Sequence, residues 1–179
     1  GRACLEKHIH GNLSAIAFTG LGQYFLSSVN TTQAGGAATW CGRTACEDCV
    51  PPEGSVAVLD ESGLAQYGVR PGYERLGSAA FFARDRSVLG VWIETEKRMV
   101  LPPAIDKPAA GAVADWQYAQ WHVKVSLFSG AFSVRHLVYL HWLISNSLVQ
   151  GMRGHLQPGH PVRRLIWPFT YKTIAINDA

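Results

Sequence analysis

136-HLVYLHWLISNSLV-149 is the stretch on which the fold of this chain turns. It is apolar almost all round, so as a helix it requires covering on every side. It also carries two histidines, His136 and His141, five residues apart. On an ordinary α-helix, positions three or four apart share a face, whereas positions five apart diverge by about 140°. Both rings can point to one place only if the turn holds an extra residue. That is a π-bulge, a feature frequent at functional sites. The alternative is two unrelated histidines on a half-buried helix.

Outward from this stretch the helical pattern extends upstream. Trp116, Ala119 and Val123 keep helical spacing, which predicts a central helix region over 114–150, as one long helix or two abutting ones. Downstream, Gly151 and Gly154 are expected to interrupt it, and Pro158 and Pro161 to bracket a turn. The tail 162-VRRLIWPFTYKTIAIN-177 is expected to be helical at first and broken near Pro168. Upstream, residues 2–9 suggest a short helix and 12-NLSAIAFTGLGQYFL-26 a buried segment. Residues 27–54, with Gly35, Gly36, Pro51 and Pro52, suggest a loop insertion holding three cysteines. Strand-like pieces follow at 55-SVAVLD-60, 79-AAFFAR-84 and 89-LGVWIE-94, with Asp85, Arg86 and Ser87 as the turn of a hairpin between the last two. The Pro-rich 101-LPPAIDKPAAG-111 connects them to the helical half. The expected fold class is mainly α with a small β-hairpin region, built on a long central helix, as one unit over 1–179.

Composition narrows the function classes. The chain has 179 residues, of which 47% are hydrophobic and 16% charged, enough for a sizeable core. A net charge of +3 without a long basic run argues against nucleic acid as a partner. No uninterrupted apolar run reaches the roughly 18–20 residues of a membrane span. The chain opens on Gly1 and shows no signal or transit peptide, which leaves the compartment open.

Several other groups are candidates for chemistry. Cys41, Cys46 and Cys49 form C-x4-C-x2-C, with Cys4 the remaining cysteine. The spacing is compatible with a metal or iron–sulfur cluster. One or two disulfides, or thiols in a loop, are the simpler expectation. Asn12-Leu13-Ser14 and Asn30-Thr31-Thr32 satisfy the glycosylation pattern. His8 and His10 alternate as on a strand and lack a third ligand nearby. Glu94 and Glu96 alternate as an exposed strand face. There is no nucleophile elbow, phosphate loop or dinucleotide fingerprint.

The neighbours of the histidine pair carry more. The string 116-WQYAQWHV-123, then His136-x4-His141-Trp142-Leu143, then 156-LQPGHPVRRLIWPFTYKTIAIN-177, resembles the lipoxygenase catalytic domain. That family has a W-x2-A-K helix start, H-x4-H-W-L, and a segment HP-x3-L-x-P-H-x3-T-x2-IN. The upstream half fits the same frame. 5-LEKHIHGNLSAIAFTGL-21 is similar to the family's helix, Gly-Asn and buried stretch, 79-AAFFARDRSVLGVWIE-94 to its β-hairpin, and 101-LPP-103 to its Leu-Pro.

The resemblance implies a partial lipoxygenase-like catalytic domain. Family members are non-haem iron dioxygenases that add O₂ to polyunsaturated fatty acids. It assigns His136 and His141 as iron ligands, presented through the π-bulge, with Trp142 and Leu143 packing behind them. The departures are also specific. The family draws its remaining ligands from a region beyond T-x2-IN, and this chain stops at Ala179. Where the family has a histidine five places after the second ligand, this chain has Asn146, and the acidic position further on is Gln150. The histidine of the tail motif is Phe169, and the segments on either side of the ligands differ in length. The resemblance therefore implies a lipoxygenase-like protein lacking the full iron site. Its expected role is a non-catalytic structural subunit of a larger assembly. One alternative is part of a split lipoxygenase whose ligands another chain completes, and another is a lipid- or pigment-binding module. Alone the chain is not expected to be an enzyme. Expected partners are protein chains covering 136–149, with lipid as a further candidate.

Overall fold

The computed structural model describes residues 12–19, 21–30, 39–40, 43–44, 49–106 and 108–170. The expected helix over 2–9 and the end of the tail from 171 lie outside them. The chain divides into two compact units, Gly1–Leu127 and Phe128–Ala179.

In the first unit, α1 (Asn12–Thr19) and a 3-10 turn (Leu21–Phe25) lead into β1 (Leu26–Asn30). Strands β2 (Thr39–Trp40), β3 (Arg43–Thr44), β4 (Ala57–Asp60), β5 (Ser78–Phe82), β6 (Val88–Ile93) and β7 (Arg98–Val100) follow. They lie in the order β3-β2-β1-β4-β5-β6-β7, antiparallel at every pair. The three strand-like pieces read from sequence are β4, β5 and β6. The hairpin expected between the last two is present, but it is part of a seven-stranded sheet. The fold is thus mixed helix and sheet, and the expectation of a small β-hairpin region is corrected. β1 and β7 are short and do not alternate cleanly, so no local signal marks them. They are strands because β4 and β6 offer them unpaired backbone groups.

The β5–β6 turn is built from its own side chains. Asp85 Oδ1 accepts hydrogen bonds from the Ser87 amide at 2.9 Å and the Ser87 hydroxyl at 2.6 Å. Arg86 takes a left-handed φ of 70° between them. Ser14 Oγ donates to the Arg86 carbonyl at 2.6 Å, which ties α1 to this turn.

Both faces of the sheet are covered. Leu59, Ala80, Phe82, Val88, Val91, Ile93 and Val100 pack with Leu13 and Ala17 of α1 on one side. Val58, Ala79, Phe81 and Trp92 pack with Cys49 on the other. Successive strand residues point to opposite faces, so a strand buried on both reads as a continuous apolar run. This is why 79-AAFF-82 lacks alternation.

Helix α2 (Ala112–Phe128) closes the first core cluster. Trp116, Ala119, Val123 and Leu127 recur at helical spacing and are buried. Its flank pins the approach to β5. The Gly77 amide and the Ser78 hydroxyl each donate to Ser126 Oγ at 3.2 Å. His122, fully buried, donates from Nε2 to the Arg75 carbonyl at 3.2 Å. Gly77 sits at φ +138°, and a Cβ there would lie 2.7 Å from the Ala65 amide nitrogen and 2.9 Å from the Ser62 carbonyl oxygen. Gly77→Ala combines backbone strain with a clash against main chain. It is expected to cost more than about 2 kcal/mol, read as a lower denaturant midpoint.

Arg98 on β7 reaches α2 through a two-pronged pair with Asp115, both contacts 2.8 Å, and also pairs with Glu96. Glu94 and Glu96, read from sequence as a strand face, lie instead in the β6–β7 turn. Glu94 accepts from Trp92 Nε1 at 2.7 Å and from Lys97. Hydrogen bonds from Arg98 hold the carboxyls of Glu96 and Asp115 below their ordinary values of 4.5 and 3.8. A depressed folded-state pKa stabilises above the unfolded value, and that stabilisation is lost as pH falls through the folded one. Stability is therefore expected to decline on acidification below about pH 4, and Arg98→Met to flatten that limb. The pair is partly exposed, so the effect is modest. Thermal midpoints measured against pH check it.

In the second unit, a π-helical segment, Ser129–Ser145, follows directly on α2 and continues into α3 (Asn146–His155). Gly151 and Gly154 were expected to interrupt this helix, and they do not. A glycine costs only about 1 kcal/mol in a helix, and the buried Val149 and Met152 hold this one in place. Residues 158–159 form the expected turn before α4 (Pro161–Thr170). α4 runs through Pro168 and is described as far as Thr170, two residues past the proline near which the break was expected. Among the described residues no helix is long and apolar enough to cross a membrane.

Candidate functional site

The π-helical segment places the histidine pair. In a π-helix each amide bonds five residues back, so residue i+5 stands one turn above residue i. His136 and His141 accordingly meet. Their Nε2 atoms are 3.1 Å apart, with ring centroids at 4.7 Å and planes at 72°. His136 is exposed and His141 half-buried.

A column of aromatic rings leads to the pair. Phe128 stacks on Phe132 at 5.3 Å, and Phe132 stacks on His136 at 5.5 Å with planes 15° apart. This packing fixes the plane of the first imidazole. The spacing 128, 132, 136 was visible in the sequence but carries no signal of its own, since aromatic pairs four apart occur on any helix.

The distance bears on metal binding. Two imidazole nitrogens bound side by side at about 2.1 Å, in a right-angled arrangement, lie about 3.0 Å apart. The observed 3.1 Å matches that separation. A direct hydrogen bond between one N–H and one lone pair gives a similar distance. The separation is thus compatible with two neighbouring positions on a metal ion and equally with a direct imidazole–imidazole hydrogen bond. Among the described residues, no group of three His, Cys, Asp or Glu is placed to hold a metal.

The departures from the lipoxygenase pattern are also placed. Asn146 donates from Nδ2 to the Trp142 carbonyl at 2.9 Å, turned back on its own helix. Gln150 is exposed. Trp142 and Leu143, expected to pack behind the pair, are about half exposed, at 47% and 53%.

Of the cysteines, Cys49 is buried against the sheet in the Val58–Phe81–Trp92 cluster. Cys4, Cys41 and Cys46 lie outside the described residues, as do His8 and His10. The Asn12-Leu13-Ser14 pattern falls on α1, where Leu13 is fully buried and the Ser14 hydroxyl is engaged.

Sequence reasoning missed His122, whose role depends on which loop crosses α2. It also missed Tyr118. The Tyr118 hydroxyl lies 2.9 Å from Glu96 Oε1 and 3.1 Å from Glu74 Oε1. Burial and the two carboxylates push its pKa upward, so it stays protonated and serves as a donor. No protein-family model, curated protein or solved structure matches this chain.

Proposed function

We propose that this chain is a lipoxygenase-like protein that supplies two imidazoles, His136 and His141, to a non-haem iron centre, with the remaining ligands contributed from outside the described residues. The observation that carries this reading is the 3.1 Å separation of the two Nε2 atoms on a π-helical turn. The chain's own residues present two imidazole nitrogens side by side and hold the first ring by stacking on Phe132. Iron, when bound with a full ligand set, supplies the one-electron chemistry for adding O₂ to a polyunsaturated fatty acid. On this reading the chain alone is not a dioxygenase, because two imidazoles leave the geometry of the ion undefined.

A second reading, a non-catalytic structural subunit, is supported by a different observation. Tyr139, Trp142, Leu143, Ile144 and Leu148 are each between 42% and 53% exposed. An exposed apolar surface of this kind marks an interaction site, and other protein chains would cover it.

Metal analysis of the native particle separates the two readings. Iron near one atom per chain supports the first. No iron in the native particle leaves the structural role.

A further inference from the structure

The second unit carries a feature unrelated to the histidine pair. Between Phe128 and Thr170 the sequence has four arginines and no Asp or Glu. Three of the arginines gather around one indole. Arg153 on α3 stands over the Trp167 ring with its guanidinium carbon 5.9 Å from the centroid. Arg163 and Arg164 line a cleft of about 370 Å³ with Pro158 and Trp167. Arg163 is anchored by donating from Nη1 to the Leu156 carbonyl at 2.7 Å, while Arg164 is exposed. With no carboxylate in this stretch, the three arginines form a cationic cluster with no carboxylate partner among the described residues.

The other side of α4 is apolar and open. Val162, Leu165 and Ile166 fall on one stripe, and Leu165 is 69% and Val162 45% exposed. A core helix would bury that stripe. α4 is instead divided between an open apolar face and a cationic face carrying an indole. Helices of this kind lie in the plane of a membrane surface, with apolar side chains at the acyl boundary and arginines among the headgroups. An exposed cation–indole pair suits the same zone, since tryptophan favours the interface.

We propose that α4 docks this chain on an anionic phospholipid surface. Val162, Leu165 and Ile166 enter the interface, and Arg153, Arg163 and Arg164 take headgroup phosphates. Charge complementarity selects this occupant, because the cationic cluster adds attraction only where the surface is negative. The attraction is between exposed charges, so it weakens with salt.

Co-sedimentation of the full chain with lipid vesicles tests the proposal. Vesicles of phosphatidylcholine mixed with phosphatidylserine should retain the chain, and phosphatidylcholine alone should not. Arg153→Gln and Arg164→Gln should each weaken binding roughly fivefold. Leu165→Ser should weaken it as well. All three side chains are exposed, so the circular dichroism spectrum should be unchanged. Equal retention on both vesicle types overturns the proposal, as does unchanged binding of the Arg153→Gln, Arg164→Gln double variant. Capture of the chain by polyglutamate in preference to mixed vesicles overturns it too, in favour of an acidic protein partner. His136→Ala should leave vesicle binding intact, so this result stands apart from the iron reading.

Discussion

If the proposed iron centre is present, alanine at His136 or at His141 is expected to remove iron from the native particle. Outer-sphere partners of a metal ligand are typically worth 10–100-fold in affinity, so loss of a direct ligand should cost more than about 100-fold. Neither substitution should unfold the chain. His136 is exposed and His141 half-buried, and both sit on a helix anchored elsewhere by Val149 and Met152. Iron content by elemental analysis, read beside helicity, tests this. If the native particle holds iron and both variants keep it, the metal lies elsewhere. Phe132→Ala provides a graded control. It removes the ring stacked on His136 without touching a nitrogen, so it should weaken iron retention less than either histidine variant.

Phe82→Ala is expected to produce one of the largest losses of stability among single truncations in the sheet. Phe82 is fully buried in the cluster between the sheet, α1 and α2, and meets Phe18 edge to face at 5.1 Å. Truncating a buried phenylalanine costs about 3–5 kcal/mol through lost transfer energy and the cavity left behind. A domain is stable by only about 5–15 kcal/mol, so the variant should be marginal. Denaturant titration gives the midpoint shift. A loss below about 1 kcal/mol would mean that the pocket collapses around the alanine, or that this cluster is not the stabilising core. The paired measurement is Tyr24→Ala. Its ring is 79% exposed, and a change within about 0.5 kcal/mol is expected.

The sequence was informative where a structure is decided by neighbouring residues. Asp85-Arg86-Ser87 marked a turn because an aspartate can bond the chain two residues on, and it does so here. Trp116, Ala119 and Val123 marked the buried side of α2 because helix spacing leaves one stripe facing the core. The sequence was weaker wherever a distant segment decided the outcome. β1 became a strand by pairing with β4, about thirty residues away, and β7 by pairing with β6 after an irregular turn. Gly151 and Gly154 read as breaks because propensity is local, whereas the burial of Val149 and Met152 is not.

The histidine pair lies on the boundary between these cases. By itself the sequence determined that two imidazoles occur five residues apart on a helical, apolar stretch. It also determined that such a pair can converge only if the helix carries an extra residue per turn. Whether the helix does so was left to the tertiary structure, because the α and π hydrogen-bond patterns use the same backbone groups and differ only in register. In the fold the π pattern runs from Ser129 to Ser145 and closes the two nitrogens to 3.1 Å. Residue spacing fixes which side chains can meet, and the register of the backbone ladder, a property of the whole helix, decides that they do.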